Sequence, residues 1–277
     1  MSAVLSMAWR LARRYLRPKT SQGFLSFISL VGMAGVAIGV AVLIVVLYHI
    51  DLTPGGYVGV DVFFVVSGFL ITGLLVREFE SSGRISLREF YARRARRLLP
   101  AAALVLLVSL VLSNRLLDPV RAHQNSVDTL YAGAFVANFH FAQVGSDYFR
   151  QNDAVSTLQH WWSLAVEEQF YVVWPGLLAL TWWLVGRRRR AWVARAGALG
   201  VILGLGTASF VVGFRLTHDN PSWGYFATWA RGWELAVGAA CAFLWAVRDR
   251  LLPSAVRGVA GWAGIALIAY EIGRAHV

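Results

Sequence analysis

Apolar residues come along this chain in blocks of about twenty, separated by short polar stretches rich in arginine. An α-helix needs that length to cross the hydrocarbon of a bilayer. The blocks do not alternate with the period of two expected of a membrane β-barrel strand. The pattern predicts spans over 27–48, 59–76, 101–117, 164–185, 199–214, 225–247 and from about 258. A further apolar stretch, 127–141, contains Asp128, Asn138 and His140, each unfavourable in hydrocarbon. The expected fold is therefore all-α: a polytopic transmembrane helix bundle of about seven spans plus one re-entrant or interfacial segment.

Composition agrees. Hydrophobic residues make up 57% of the chain and charged residues 15%, with a mean hydropathy of +0.57, more apolar surface than a soluble domain of this length hides. The formal net charge of +11 would suggest nucleic acid, but the charges lie in clusters beside apolar blocks, as juxtamembrane anchors do. No soluble domain is present to carry a basic nucleic-acid face. The single cysteine, Cys241, falls inside an apolar block, where packing among small residues is its expected role.

The basic clusters orient the spans. Arg10, Arg13, Arg14, Arg17 and Lys19 precede the first span and place the N-terminus in the cytoplasm of a cell with this inner membrane. Two crossings return the chain to the cytoplasm at Arg84, Arg88, Arg93, Arg94, Arg96 and Arg97. If 127–141 crossed fully, Arg187–Arg190 would fall outside; if it does not, they fall inside, together with Arg248, Arg250 and Arg257. The segment is therefore expected not to cross, and such a broken segment is tolerated only where protein or a water-filled cavity covers it. Residues 84–97 read as an amphipathic helix on the cytoplasmic face, either a plain anchor or a grip for the phosphates of a cytosolic acyl donor.

With that topology several ionisable residues share one depth. His49 ends the first span and Asp61 opens the second; His160, Glu167 and Glu168 open the span after the long outer loop, and Arg231 and Glu234 follow near the outer end of another. Charges in lipid are unfavourable unless paired, so a shared outer-leaflet pocket is expected, with structural ion pairs such as Arg231 with Glu167 or Glu234 as the plainer account. A histidine beside a carboxylate is also the minimal equipment for activating a hydroxyl. No Cys/His metal spacing, Gly-rich phosphate loop or Gly-x-Ser-x-Gly elbow occurs, so no metal ligands are assigned.

Four motifs carry a resemblance. They are GGYVGVDVFFVVSGFLIT over 55–72, FYARRARRLLP over 90–100, HWWSLAVEEQFY over 160–171 followed by Trp174 and Pro175, and Arg231-Gly232-Trp233-Glu234-Leu235 with Gly238. In this order, across roughly 46–270, they resemble the acyltransferase-3 family of membrane O-acyltransferases. The resemblance implies transfer of an acyl group, often acetyl from acetyl-CoA, to a hydroxyl of an envelope carbohydrate such as O-antigen, peptidoglycan, exopolysaccharide or glycolipid. The implied partners are acyl-CoA as donor substrate rather than resident cofactor, the glycan acceptor and membrane lipid. It also implies His49 as the catalytic histidine, and thus the candidate base. The other catalytic candidates are Glu167 and Glu168, and the candidate substrate-binding or structural pocket draws on Asp61, Ser67, His160, Ser163, Arg231 and Glu234.

The chain departs from the family at both ends. The family's first-span arginine, eleven residues before the histidine, is replaced by Ile38. Residues 1–47 resemble instead the N-terminus of a permease subunit of a lipoprotein-releasing ABC transporter, and the two patterns meet at Val45-Val46-Leu47, as a chimera would. Residues 271–277 resemble a translated sequencing adapter, and the block 258–270 is short for a span, so the distal helices of the family, and the esterase-like domain some members append, are expected beyond this chain. The expected division is 1–47, 48–270 and 271–277. A permease subunit of a transport complex is the alternative reading, against which the short outer loop after the first span weighs.

Overall fold

The computed structural model describes residues 35–47, 52, 56–145, 155–186 and 191–245, together with five isolated positions between 259 and 270. All regular structure among the described residues is helical: α1 Gly35–Leu47, α2 Val58–Ser82, α3 Leu87–Leu116, α4 Pro119–Gly133, α5 Ala137–Val144, α6 Trp161–Gly186, α7 Ala191–Asp219, α8 Pro221–Phe226 and α9 Thr228–Trp245. Three of them, α2, α3 and the stretch Arg195–Asp219 of α7, are long and apolar enough to cross a membrane.

The bundle is organised by small residues. α2 packs most extensively on α9, and α9 on α7. A Cβ added to Gly238 would lie 1.8 Å from the Val65 carbonyl oxygen, and one added to Gly68 would lie 2.0 Å from that of Leu235. The α2–α9 crossing is therefore backbone against backbone, the close approach that glycine permits in membrane helix pairs. Gly213 meets Ala230 in the same way at the α7–α9 crossing. α6 runs beside α2 in the same direction: Ser67 meets Glu167, Thr72 accepts from the Trp174 indole at 2.9 Å, and Phe79 stacks on Trp182 at 4.3 Å. Leu75, Trp174, Leu178 and Ile202 fill the core near one end; Phe64, Trp162, Phe226 and Leu235 fill it near the other.

Two elements differ from expectation. Residues 84–97 do not form a separate surface helix; from Leu87 on they are the start of α3, a 30-residue helix that continues through Pro100. At 1.5 Å per residue it is about 45 Å long, and before its apolar half begins it turns Arg94 into the bundle and leaves Arg88, Arg93, Arg96 and Arg97 exposed. Most of that half is exposed, including Leu104, Leu107 and Val111, as a lipid-facing helix requires. The predicted span 225–247 is interrupted at Ala227, which separates α8 from α9.

The stretch 127–141 is broken. α4, capped by the Asp118 side chain on the N–H groups of Val120 and Arg121, runs back along α3: Asn125 donates to Ser113 at 2.5 Å, and Gly133 approaches Leu106. The chain then turns through Ala134–Val136, with Phe135 at φ 55°, and α5 returns, bringing His140 to Asp128 at 3.0 Å. A buried polar network holds the turn in place. Gln169 donates to the Phe135 carbonyl at 2.8 Å and to Asn138 at 2.9 Å, and Asn138 donates to the Phe226 carbonyl at 3.1 Å and to Thr228 at 3.0 Å. Two of these links satisfy backbone carbonyls, of Phe135 and Phe226, at the interruptions, and the other two join side chains. Cys241, expected in small-residue packing, is exposed on the outer side of α9.

Candidate active site

The structure divides the ionisable residues expected in one pocket into two clusters. In the first, Glu168 receives Arg94 Nε on both carboxylate oxygens, at 2.9 and 3.0 Å, and a further bond from Nη2. That is the forked geometry for which arginine is suited. Glu167 points to the other side of the same arginine. One of its oxygens accepts from the Ser67 hydroxyl at 2.5 Å and from the Tyr171 phenol at 2.7 Å, and lies 4.0 Å from Arg94 Nη2. The guanidinium also lies 3.5 Å over the Tyr171 ring. Glu167 and Tyr171 are one turn apart on α6 and so share a face. Both glutamates are buried, and the Ser67–Glu167 and Arg94–Glu168 contacts tie α2 and α3 to α6.

In the second cluster Arg231 pairs with Asp61 across the α2–α9 interface and lies 3.1 Å from Glu234 Oε1, one turn along its own helix. The rings of Phe64, Trp162 and Tyr225 surround the guanidinium at 5.8–6.0 Å. Glu234 is 1% exposed, and among the described residues neither of its oxygens has a partner in hydrogen-bonding geometry; the same holds for Arg231 Nε. Arg231 thus meets Glu234, one of its two expected partners, and not Glu167. Asp61 and Ser67 stand six positions apart on α2, so the two clusters are offset by about 9 Å along the helix axis rather than merged.

Three candidates remain. His160 is exposed at the start of α6, and Ser163 donates to the His160 carbonyl at 3.2 Å, a local helix-start bond. His49 lies outside the described residues. The helix before it is described: α1 sets Ala41 and Val45 against Gly59, half a turn before Asp61, and Ile38 is half-buried on α1. Among the described residues no group of three or more His, Cys, Asp or Glu side chains is arranged to hold a metal ion.

A cavity of about 440 Å³ opens beside the first cluster. Arg94, Glu168, Gln169 and Tyr171 form its polar end. Leu98, Leu99, Phe135, Val136, Val172 and Val173 form its apolar walls. Tyr91 lines it too and donates to the Val172 carbonyl at 2.6 Å. The floor is the turn between α4 and α5, so the break in the 127–141 stretch makes the cavity wall. A largely apolar slot ending in a few convergent polar groups is the common form of a small-molecule site. Sequence reading missed the pairing of Arg94 with Glu168 and the contribution of Gln169. Arg94 was legible only as one basic residue of a cationic stretch, and nothing in the sequence distinguishes it from Arg93 beside it.

The comparisons with known proteins follow the same residues. An acyltransferase-domain family profile matches residues 36–276. A putative peptidoglycan O-acetyltransferase, YrhL of Bacillus subtilis, is 35% identical over 78% of this chain and 34% of its own length. The peptidoglycan O-acetyltransferase OatA of Listeria monocytogenes is 34% identical over 81% of this chain and 36% of its own length. A putative O-acetyltransferase of Staphylococcus aureus is 36% identical over 74% of this chain and 33% of its own length. The chain thus spans about a third of the length of these curated relatives. No solved structure matches it significantly. Two of the four motifs, over 90–100 and 160–171, line the cavity. With the family profile covering most of its length, the chain belongs to the acyltransferase-3 family.

Proposed function

We propose that this protein transfers an acyl group, most simply acetyl from acetyl-CoA, to a hydroxyl of a cell-envelope carbohydrate, with peptidoglycan the acceptor named for its relatives. The observation that carries the reading is the family match together with the apolar slot that ends at Arg94, Glu168 and Gln169. Its apolar walls suit the pantetheine arm and acyl group of the donor, and its polar end suits the thioester carbonyl. His49 is the base. It takes the proton of the acceptor hydroxyl as that oxygen bonds to the carbonyl carbon; the carbon–sulfur bond then breaks, and the CoA thiolate leaves and is protonated. Arg94, held by Glu168 and backed by Tyr171, is poised to stabilise negative charge on the carbonyl oxygen. Glu167, Ser67 and Tyr171 keep that arginine in position.

The same reading places the protein in the inner membrane as a multi-pass bundle with a cytoplasmic N-terminus. The hairpin of α4 and α5, which folds back on itself, supports the view that 127–141 enters and leaves on one side. The permease alternative rests on residues 1–47, of which only 35–47 are described, and gains nothing from a family match that begins at residue 36.

The test is His49→Ala in the full chain. Membrane insertion, read from protease protection, is expected to be unchanged, and acetyl transfer to fall at least about a hundredfold, the usual contribution of a positioned base. Transfer that survives the substitution would remove His49 from the mechanism.

A further inference from the structure

α5 and α4 hold a second set of polar groups that the acyl-transfer reading leaves unused. His140 Nε2 lies 3.0 Å from Asp128 Oδ1, and Ser156 donates its hydroxyl to the other carboxylate oxygen at 2.5 Å. Asp128 thus takes the Nε2 edge of the imidazole and leaves Nδ1 on the other. The Tyr131 ring stacks on the imidazole with centroids 4.0 Å apart and planes 8° from parallel, and the Phe141 ring centroid lies 5.6 Å away. The imidazole is therefore held in one plane. Among the described residues no protein group meets Nδ1 or the Tyr131 hydroxyl. Neither residue is fully enclosed: Tyr131 is 40% exposed and the His140 side chain 15%.

The Asp128–His140 contact does staple α4 to α5. A staple alone, however, needs no ring nitrogen on its open edge, nor a phenol hydroxyl stacked beside it on an exposed ring. An aromatic face with a few placed polar groups beside it suits a carbohydrate, whose hydroxyls those groups can read. We propose that Tyr131 and His140 form a hydroxyl-binding subsite for the carbohydrate acceptor, with His140 Nδ1 and the Tyr131 hydroxyl each hydrogen-bonding to a neighbouring sugar hydroxyl. The class of ligand rests on the acyl-transfer reading; the geometry of the subsite does not.

The experiment is a calorimetric titration of the full chain, in detergent, with chitopentaose, a soluble oligomer of N-acetylglucosamine. Tyr131→Phe keeps the stacking and the whole Asp128 network, and removes one hydroxyl. It is expected to weaken binding about three- to tenfold, the worth of one hydrogen bond, with no change in thermal midpoint. His140→Ala is expected to weaken it further. The proposal is overturned if chitopentaose does not bind the unaltered chain. It is equally overturned if Tyr131→Phe binds as tightly as the unaltered chain while His140→Ala loses binding and thermal stability together, the signature of a staple. Failure of the acyl-transfer reading looks different: the oligosaccharide binds, but no ester forms on it when acetyl-CoA is supplied.

Discussion

Arg94 and Glu168 stand 74 positions apart and meet through a forked pair of hydrogen bonds, while Arg231 and Glu234 meet at i, i+3. The second contact is legible in the sequence because helical periodicity alone brings those side chains together. The first is not, since it depends on α3 and α6 lying side by side, and no local pattern records that. The same contrast holds for glycine. The sequence shows Gly68, Gly73 and Gly238 as three residues inside apolar blocks, but only the structure tells them apart. Gly68 and Gly238 face carbonyl oxygens across a helix crossing, and Gly73 faces open space. Gly238→Ala is therefore expected to destabilise the bundle by about 1–3 kcal/mol or more, because the backbone must part to admit a methyl group. Gly73→Ala is expected to be neutral or slightly stabilising, by up to about 1 kcal/mol, since alanine is the better helix former. Thermal midpoints of the two variants in the same detergent check this, and equal midpoints would contradict it.

At the scale of elements, hydrophobic block length located the long helices α2, α6 and α7, whose polar flanks end them where turn chemistry does. Gly83, for example, closes α2 in the left-handed region at φ 71°, with its N–H on the Phe79 carbonyl. Block length failed where a helix runs through a change of composition. α3 joins an arginine-rich half to an apolar half because nothing at the boundary stops it: Pro100 removes one N–H, yet helices in a membrane setting tolerate that where neighbours cover the freed carbonyl. The polar content of 127–141 did foretell a break, and the structure supplies its cause in the Gln169–Asn138–Thr228 network and the strained turn at Phe135. If α4 and α5 enter and leave on one side, a cysteine at the end of α5 stays outside. In a chain whose exposed Cys241 has been changed to Ser, Val144→Cys is expected to react with a membrane-impermeant maleimide from the outer side of right-side-out vesicles. Reaction from the cytoplasmic side only would reverse the proposed topology.

For the molecule as a whole, the apolar exterior of α3 and the small-residue interior of α2, α7 and α9 describe a bundle whose solvent is lipid, and the buried charges of its two clusters lie beside charges of opposite sign. The family was legible from four motifs. Their arrangement was legible only in part, because the sequence put Glu167, Glu168, Asp61 and Arg231 at one depth without showing that they fall into two clusters, one of them built on Arg94. The account turns on that arginine. Its most direct test supplies radiolabelled acetyl-CoA and chitopentaose to the full chain in vesicles and counts alkali-labile acetyl ester on the oligosaccharide, for the unaltered chain and for Arg94→Lys. Lysine keeps the charge but not the fork. The account predicts ester formation by the unaltered chain and a loss of at least about tenfold in Arg94→Lys, with the variant still folded. An Arg94→Lys variant that transfers acetyl as fast as the unaltered chain, or an unaltered chain that forms no ester, would contradict it.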